Sequence, residues 1–176
     1  LTDEFVKGLG KFSGVENLRI NVNEGIMLEK ERKEKDRIRM KIADEIANKS
    51  SCEIPAVLIN AELEKMVGEL KNGVERMGLK FEEYLSNLKK TVEDLKLEWI
   101  KDAEKRVKIA LALREIAKQE KIEPTSEEAQ NEIDKFIMQS GLSEEKLKKV
   151  DKSQLFDYAY GVARNERVFQ FLEKQL

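Results

Sequence analysis

Nine consecutive charged residues, Glu29 to Arg37 (EKERKEKDR), sit inside one helical pattern with aliphatic residues on both sides. A helix that lacks an apolar face for about two turns or more has nothing to bury there, so this stretch has to cross open solvent between places where its ends pack. A spar or an arm meets that requirement, and a single tight bundle does not. Within the run, Glu29 and Lys33, and likewise Glu31 and Lys35, are acid-before-base pairs four residues apart. Each such pair contributes ~0.2–0.5 kcal/mol toward keeping a bare segment helical.

The remaining composition fits that shape. The 176 residues are 39% charged, 40% hydrophobic and 6% aromatic, with two prolines and no histidine. Abundant Glu, Lys, Leu, Ala and Ile predict an all-α chain. So little aromatic and apolar surface predicts thin helical layers rather than one large round core. The expected architecture is an elongated multi-helix domain with protruding helical-hairpin arms, residues 1–176 forming one domain of body plus arms. A compact globule of this length has a radius of gyration of about 16 Å, which such a molecule must exceed. The net charge of -2 hides a close mixing of signs, which argues against direct nucleic-acid binding because phosphate neutralisation needs clustered cations.

Cys52 is the single cysteine, so the chain has no internal disulfide and no thiol-based zinc site, and a cytoplasmic setting is expected. No segment reaches the ~18–20 apolar residues of a membrane span, and the first residues lack the regions of a signal peptide. The chain begins at Leu1 without an initiator Met, and it is read as an excised domain.

Element by element, Gly8, Gly10 and Gly14 break the first segment into a short turn of helix and a loop. A long helix is predicted from about Glu16 to Asn48, with Leu18, Val22 and Ile26 on one face of its first half and Ile38, Ile42 and Ile46 on one face of its second. Pro55 opens the next helix, which carries the seam Leu63, Val67, Leu70, Val74 and Met77 and stops at Gly78. The two helices flanking Pro55 are expected to pair as a hairpin. Lys80 to Leu88 reads as a brief helix, and Thr91 with Asp94 opens a long one to about Lys121, striped by Val92, Leu95, Trp99, Ala103 and Val107. Its segment Ile109 to Leu113 (IALAL) is apolar on every side, so it is either enclosed or open to a guest. Thr125 and Glu128 form a capping box for a helix to about Ser140, closed by Gly141; a short helix from Ser143 to Val150 and a last one from about Ser153 to Leu176 complete the reading.

The absences narrow the function. Without histidine there is no imidazole base and no His ligand, the carboxylates alternate with lysines, and no glycine loop is placed to cradle phosphate. No catalytic residue, metal site or cofactor is assigned, and the chain is not read as an enzyme. Cys52 precedes the Pro55 helix, where a dipole can activate a thiol, but a small neutral side chain in a connector is the commoner role. Met27, Met40, Met66, Met77 and Met138 offer adaptable apolar contacts or core filling. Trp99 is read as a packing anchor.

Four segments, in order, carry a family resemblance: LTDEFVKGLGKFSGVENLR at the start, EIPAVLINAELEKMVGEL around Pro55, AEKRVKIALALREIAKQEKIEPTSEEAQNEI from Ala103 to Ile133, and NERVFQFLEKQL at the end. Together they resemble the C-terminal domain of bacterial trigger factor over essentially the whole chain. The resemblance implies an ATP-independent chaperone domain that holds nascent or unfolded polypeptides on a cradle-like helical frame. The family's ribosome-docking and prolyl isomerase domains are expected to be absent from this chain, so the ribosome is reached only through a missing N-terminal domain and no isomerase activity is carried over. The candidate client contacts are Met66, Met77, Ile109, Leu111, Leu113 and Phe169, at least half of them expected to be structural. No membrane partner is expected, and pairing of the chain with itself stays open. The alternatives are a coiled-coil scaffold using the Leu63 to Met77 seam and the helical domain of a periplasmic chaperone of the SurA type.

Overall fold

The computed structural model describes residues 1–140 and 151–175, with side chains for all of these except 139 and 140, and every regular element among them is helical. The expected stop at Gly141, the short helix from Ser143 to Val150 and the terminal Leu176 lie outside the described residues. The chain divides into two compact units, Leu1–Ile42 and Ala43–Leu176.

The first unit begins with α1 (Asp3–Leu9), opened by Thr2, whose hydroxyl accepts a hydrogen bond from the Phe5 N–H at 3.3 Å. Asp3 then reaches forward: its Oδ1 accepts from the Val15 N–H at 2.8 Å, satisfying one of the free donors at the start of α2 (Val15–Lys49). A Cβ at Gly14 would stand 2.7 Å from Asp3 Oδ1, so a larger residue there would push the Asp3 carboxylate away from this bond. Val6 is fully buried. Residues 15–42 of α2 belong to this unit and 43–49 to the second. Each residue from 29 to 37 is exposed. Local pairs support the helix there: Lys33 Nζ lies 2.6 Å from Glu29 Oε1, and Arg37 grips both oxygens of Glu34.

The second unit contains α3 (Ala56–Arg76), α4 (Phe81–Leu88), α5 (Val92–Gln119), α6 (Ser126–Ser140) and α7 (Lys152–Glu173). Within it α3 packs along α5, α6 along α7, and α5 against α7. Within this unit α3 pairs with α5, the two joined through α4. Leu63 and Met66 of α3 meet Ala103 of α5, with Ile59 and Trp99 closing the cluster. A residue as small as Ala103 lets the helices approach closely enough for larger side chains to interdigitate. Arg106 then spans Glu69 at 2.9 Å and Glu62 at 3.3 Å, and Lys96 pairs with Glu64, all between the same two helices. The Glu69 carboxylate, with Glu62 beside it, raises the Arg106 pKa.

A second cluster gathers Leu113 and Ala117 of α5 with Val168 of α7, flanked by Ile46, Ile109, Ile116, Ile122, Phe169 and Leu172. Both predicted capping boxes form. Thr91 accepts from the Asp94 N–H at 3.1 Å while Asp94 accepts from the Thr91 N–H at 2.9 Å, and Thr125 and Glu128 repeat the exchange at 3.2 and 2.7 Å. The second box is also tied across to α7, because Arg167 donates to Glu128 Oε1 at 2.9 Å and to the Glu123 carbonyl at 2.7 Å.

Candidate functional site

The six candidate contacts separate by environment. Met66 lies one helical turn beyond Leu63 on the face that meets α5 and is 8% exposed; Leu113 is wedged beside Ala117 and Val168 and is 4% exposed. Neither offers surface to a client, so both are corrected to core residues. Ile109 and Phe169 are half-buried and pack against the Leu113 cluster, and Leu111 is half-buried on the same stretch of α5. The IALAL segment is thus neither wholly enclosed nor wholly open. Met77 alone of the six stands out in solvent, at 67% exposure.

Local geometry explains Met77. α3 ends one residue before it, Met77 caps the helix, and Gly78 takes a left-handed φ of 77°, turning the chain toward α4. The Leu79 N–H returns to the Val74 carbonyl at 3.2 Å and fixes the turn. Val74 and Phe81 on either side are buried, while Met77 and Leu79 stay exposed. A well-anchored turn therefore presents large apolar side chains to water, which is the arrangement expected where something else is to be covered. Lys80 and Glu83, paired at 2.8 Å, place charge beside them. Further exposed apolar residues are Val57 at the start of α3 and Leu97 on α5. Sequence periodicity missed Leu79, Val57 and Leu97 because they fall off the packed stripes.

A second feature escaped the sequence altogether. The end of α2, the connector before Pro55, the start of α3 and the middle of α5 enclose an open groove of about 480 Å³. Ala47, Ile54 and Ile59 supply its apolar lining. Lys101, Lys105 and Lys108 line it from α5 at spacings of four and three, which puts them on one helical face, with Glu104 beside them. Lys105 pairs with Asp44 at 2.6 Å. Cys52, an exposed free thiol, also borders the groove. Four separate segments contribute, so no local motif marked it.

The shifted carboxylates serve structure. Asp94 is held below the ordinary aspartate range by the Thr91 N–H, and Glu128 below the glutamate range first by the Thr125 N–H and then by Arg167. In α2 the Arg37 hydrogen bond lowers Glu34, and Lys49 lowers Glu45. These are caps and helix-surface pairs rather than an acid and base converging on one point. Among the described residues no group of His, Cys, Asp or Glu is placed to hold a metal ion, and no helix is long and apolar enough to cross a membrane.

The family described as bacterial trigger factor protein (TF) C-terminus matches residues 14–174. A trigger factor from Carboxydothermus hydrogenoformans is 30% identical over 168 residues, covering 96% of this chain and 39% of that protein. One from Pelotomaculum thermopropionicum is 30% identical over 174 residues, covering 98% and 40%, and one from Clostridioides difficile is 30% identical over 147 residues, covering 84% and 34%. The chain therefore spans about two fifths of the length of the curated relatives it matches. No solved structure matches it.

Proposed function

This chain belongs to the family of the bacterial trigger factor C-terminus, and we propose that it is a chaperone domain that holds unfolded or newly made polypeptide segments, in the cytoplasm and without nucleotide, through small dispersed apolar patches framed by charge. The observation that carries this reading is the α3–α4 turn, where Met77 and Leu79 are exposed on a backbone anchored by buried Val74 and Phe81. A holder without an energy source has to bind weakly enough to release. Covering ~200–400 Å² of apolar surface at ~25 cal/mol per Å² gives about 5–10 kcal/mol before the ordering cost of the client is subtracted, which leaves weak, reversible binding. Ion pairs such as Lys80–Glu83 add little stability at this exposure but keep the patch hydrated when it is empty.

Within this reading Met77 is a client contact, Ile109, Leu111 and Phe169 contribute only their outward edges, and Met66 and Leu113 hold the frame. Prolyl isomerisation and ribosome docking are assigned to none of these residues. The test is suppression of aggregation of a chemically denatured enzyme on dilution. Suppression near one chain per client is expected, and no effect in large excess would sink the proposal. Met77→Asp combined with Leu79→Asp should weaken suppression while changing unfolding free energy by no more than ~0.5 kcal/mol, since both side chains are already in water. A chain that instead forms one stable complex or self-assembles, with no preference for unfolded clients, would be a scaffold.

A further inference from the structure

We propose that the groove between the end of α2, the start of α3 and α5 receives an extended client segment in which aliphatic residues flank a carboxylate; this rests on the holding function proposed above and adds to it a preference by charge. The cations of α5 are not treated alike. Lys96 and Arg106 are tied to carboxylates of α3, and Lys105 to Asp44. Lys101 and Lys108 line the groove with no ion-pair partner among the described residues. With Glu104 and Asp44 set against the three lysines, the wall keeps a surplus of one positive charge above a lining of Ala47, Ile54 and Ile59.

That combination selects its occupant. At about 480 Å³ the groove falls in the ~300–1,000 Å³ range of ligand clefts. An extended chain alternates its side chains, so an aliphatic residue can lie on the apolar lining while a neighbouring carboxylate reaches a lysine. Nucleic acid fits poorly, because the lining offers no aromatic stacking platform and Glu104 would repel phosphate. Lysine stems can also lie against the aliphatic segment while their charged ends meet the carboxylate.

The experiment titrates the full 176-residue chain with three labelled peptides of one aliphatic pattern that differ only in carrying Glu, Gln or Lys at the central position. The Glu peptide is expected to bind about fivefold tighter than the Gln peptide, with the Lys peptide weakest, and added salt should narrow the spread. In the double variant Lys101→Gln, Lys108→Gln, checked for native helicity and melting, the Glu-to-Gln affinity ratio should fall to about one. Lys101→Gln alone, at an exposed position, should lower it part of the way. Location is read independently at Cys52, whose alkylation by a maleimide the Glu peptide should slow more than the Gln peptide. Equal binding of the Glu and Gln peptides, a preference that survives the double variant, or displacement of the Glu peptide by a single-stranded oligonucleotide overturns the groove assignment and leaves the holding function standing. If no peptide binds and aggregation is not suppressed, the holding function itself fails and the groove assignment with it.

Discussion

α2 within the first unit and α5 within the second are both long, heavily charged helices with apolar residues at helical spacing, yet they meet water differently. Along α5, Leu95, Ala103, Val107, Leu113 and Ala117 are buried; along α2, Ile20, Val22, Ile26, Met27 and Leu28 are all exposed. Alanine content accounts for much of this. α5 has Ala103, Ala110, Ala112 and Ala117 among its larger residues, whereas no alanine occurs between positions 15 and 42. Alternation of small and large side chains lets a second helix approach and interlock; between positions 15 and 42 Gly25 is the one residue as small as alanine, and the charged run 29–37 follows it. Hydrophobic period marks a face, while the presence of small residues on it decides how closely it can be covered. Lacking such packing, α2 relies on local pairs such as Glu29–Lys33 and Glu34–Arg37.

The strongest test of this contrast sets one truncation in each helix side by side. Leu113→Ala removes a buried side chain from the cluster with Ala117 and Val168 and is expected to cost about 2–4 kcal/mol. Ile26→Ala, at 46% exposure, is expected to cost no more than ~0.5 kcal/mol. Because the chain has two units, urea unfolding should be followed by hydrogen exchange resolved to each helix rather than by one global signal. A cost above ~2 kcal/mol for Ile26→Ala would mean that the α2 face is covered in solution, and the contrast would collapse.

Helix ends supply the next largest effect. Thr125→Ala removes the hydroxyl that caps α6 and should cost about 1 kcal/mol. In the first unit the matching change is Asp3→Ala, which releases the Val15 N–H and should speed exchange in the first turn of α2 without touching α5. The α6 cap is also acid-sensitive. Its Glu128 has a lowered folded pKa, so it contributes stability above the ordinary glutamate value, and that contribution is lost as pH falls through the lowered one. Glu128→Gln should flatten the dependence of melting temperature on pH across that acidic window. An unchanged slope would show that the Thr125 N–H and Arg167 do not hold the carboxylate as described.

What the sequence disclosed, and what it concealed, follows the range of the forces. Helix starts at Thr91 and Thr125 and the stop at Gly78 depend on residues within a few positions, and they were legible; the cap at Thr2 was not read. The exposure of residues 29–37 was legible for the same reason, since no partner can make such a run apolar. The pairing of α3 with α5 within the second unit was not legible, because it depends on Ala103 and on Arg106 reaching Glu62 and Glu69 across the sequence. Ala117, Ala129, Ala159 and Ala163 were overlooked as core because a small residue barely registers in a hydrophobic stripe. Met66 and Met77 are alike in type, yet one is core and the other is surface, because α3 ends at Arg76, just before Met77. The groove is the extreme case, assembled from four segments and lined on one side by lysines that look individually like solvated surface.

The smallest expected effect concerns how α5 stops. Lys121 follows the helix in the left-handed region at φ 53°, and the Ile122 N–H returns to the Ala117 carbonyl at 2.8 Å, closing the last turn. A residue with a Cβ is strained there by ~1–2 kcal/mol, which glycine avoids while giving back part of the gain through the greater freedom of its unfolded chain. Lys121→Gly should therefore stabilise the second unit by about 0.5 kcal/mol, visible as slower exchange near Ala117 and a slightly higher urea midpoint. The same substitution at Lys33, in the exposed middle of α2, should have the opposite sign. There glycine costs about 1 kcal/mol of helix propensity and the pair with Glu29 is lost as well. Glycine would thus strengthen the helix whose end is set by tertiary packing and weaken the one maintained by its own local interactions. If both changes destabilised, the turn after α5 would be no more constrained than an ordinary helix interior, and its role in positioning Ile122 against the Leu113 cluster would be lost.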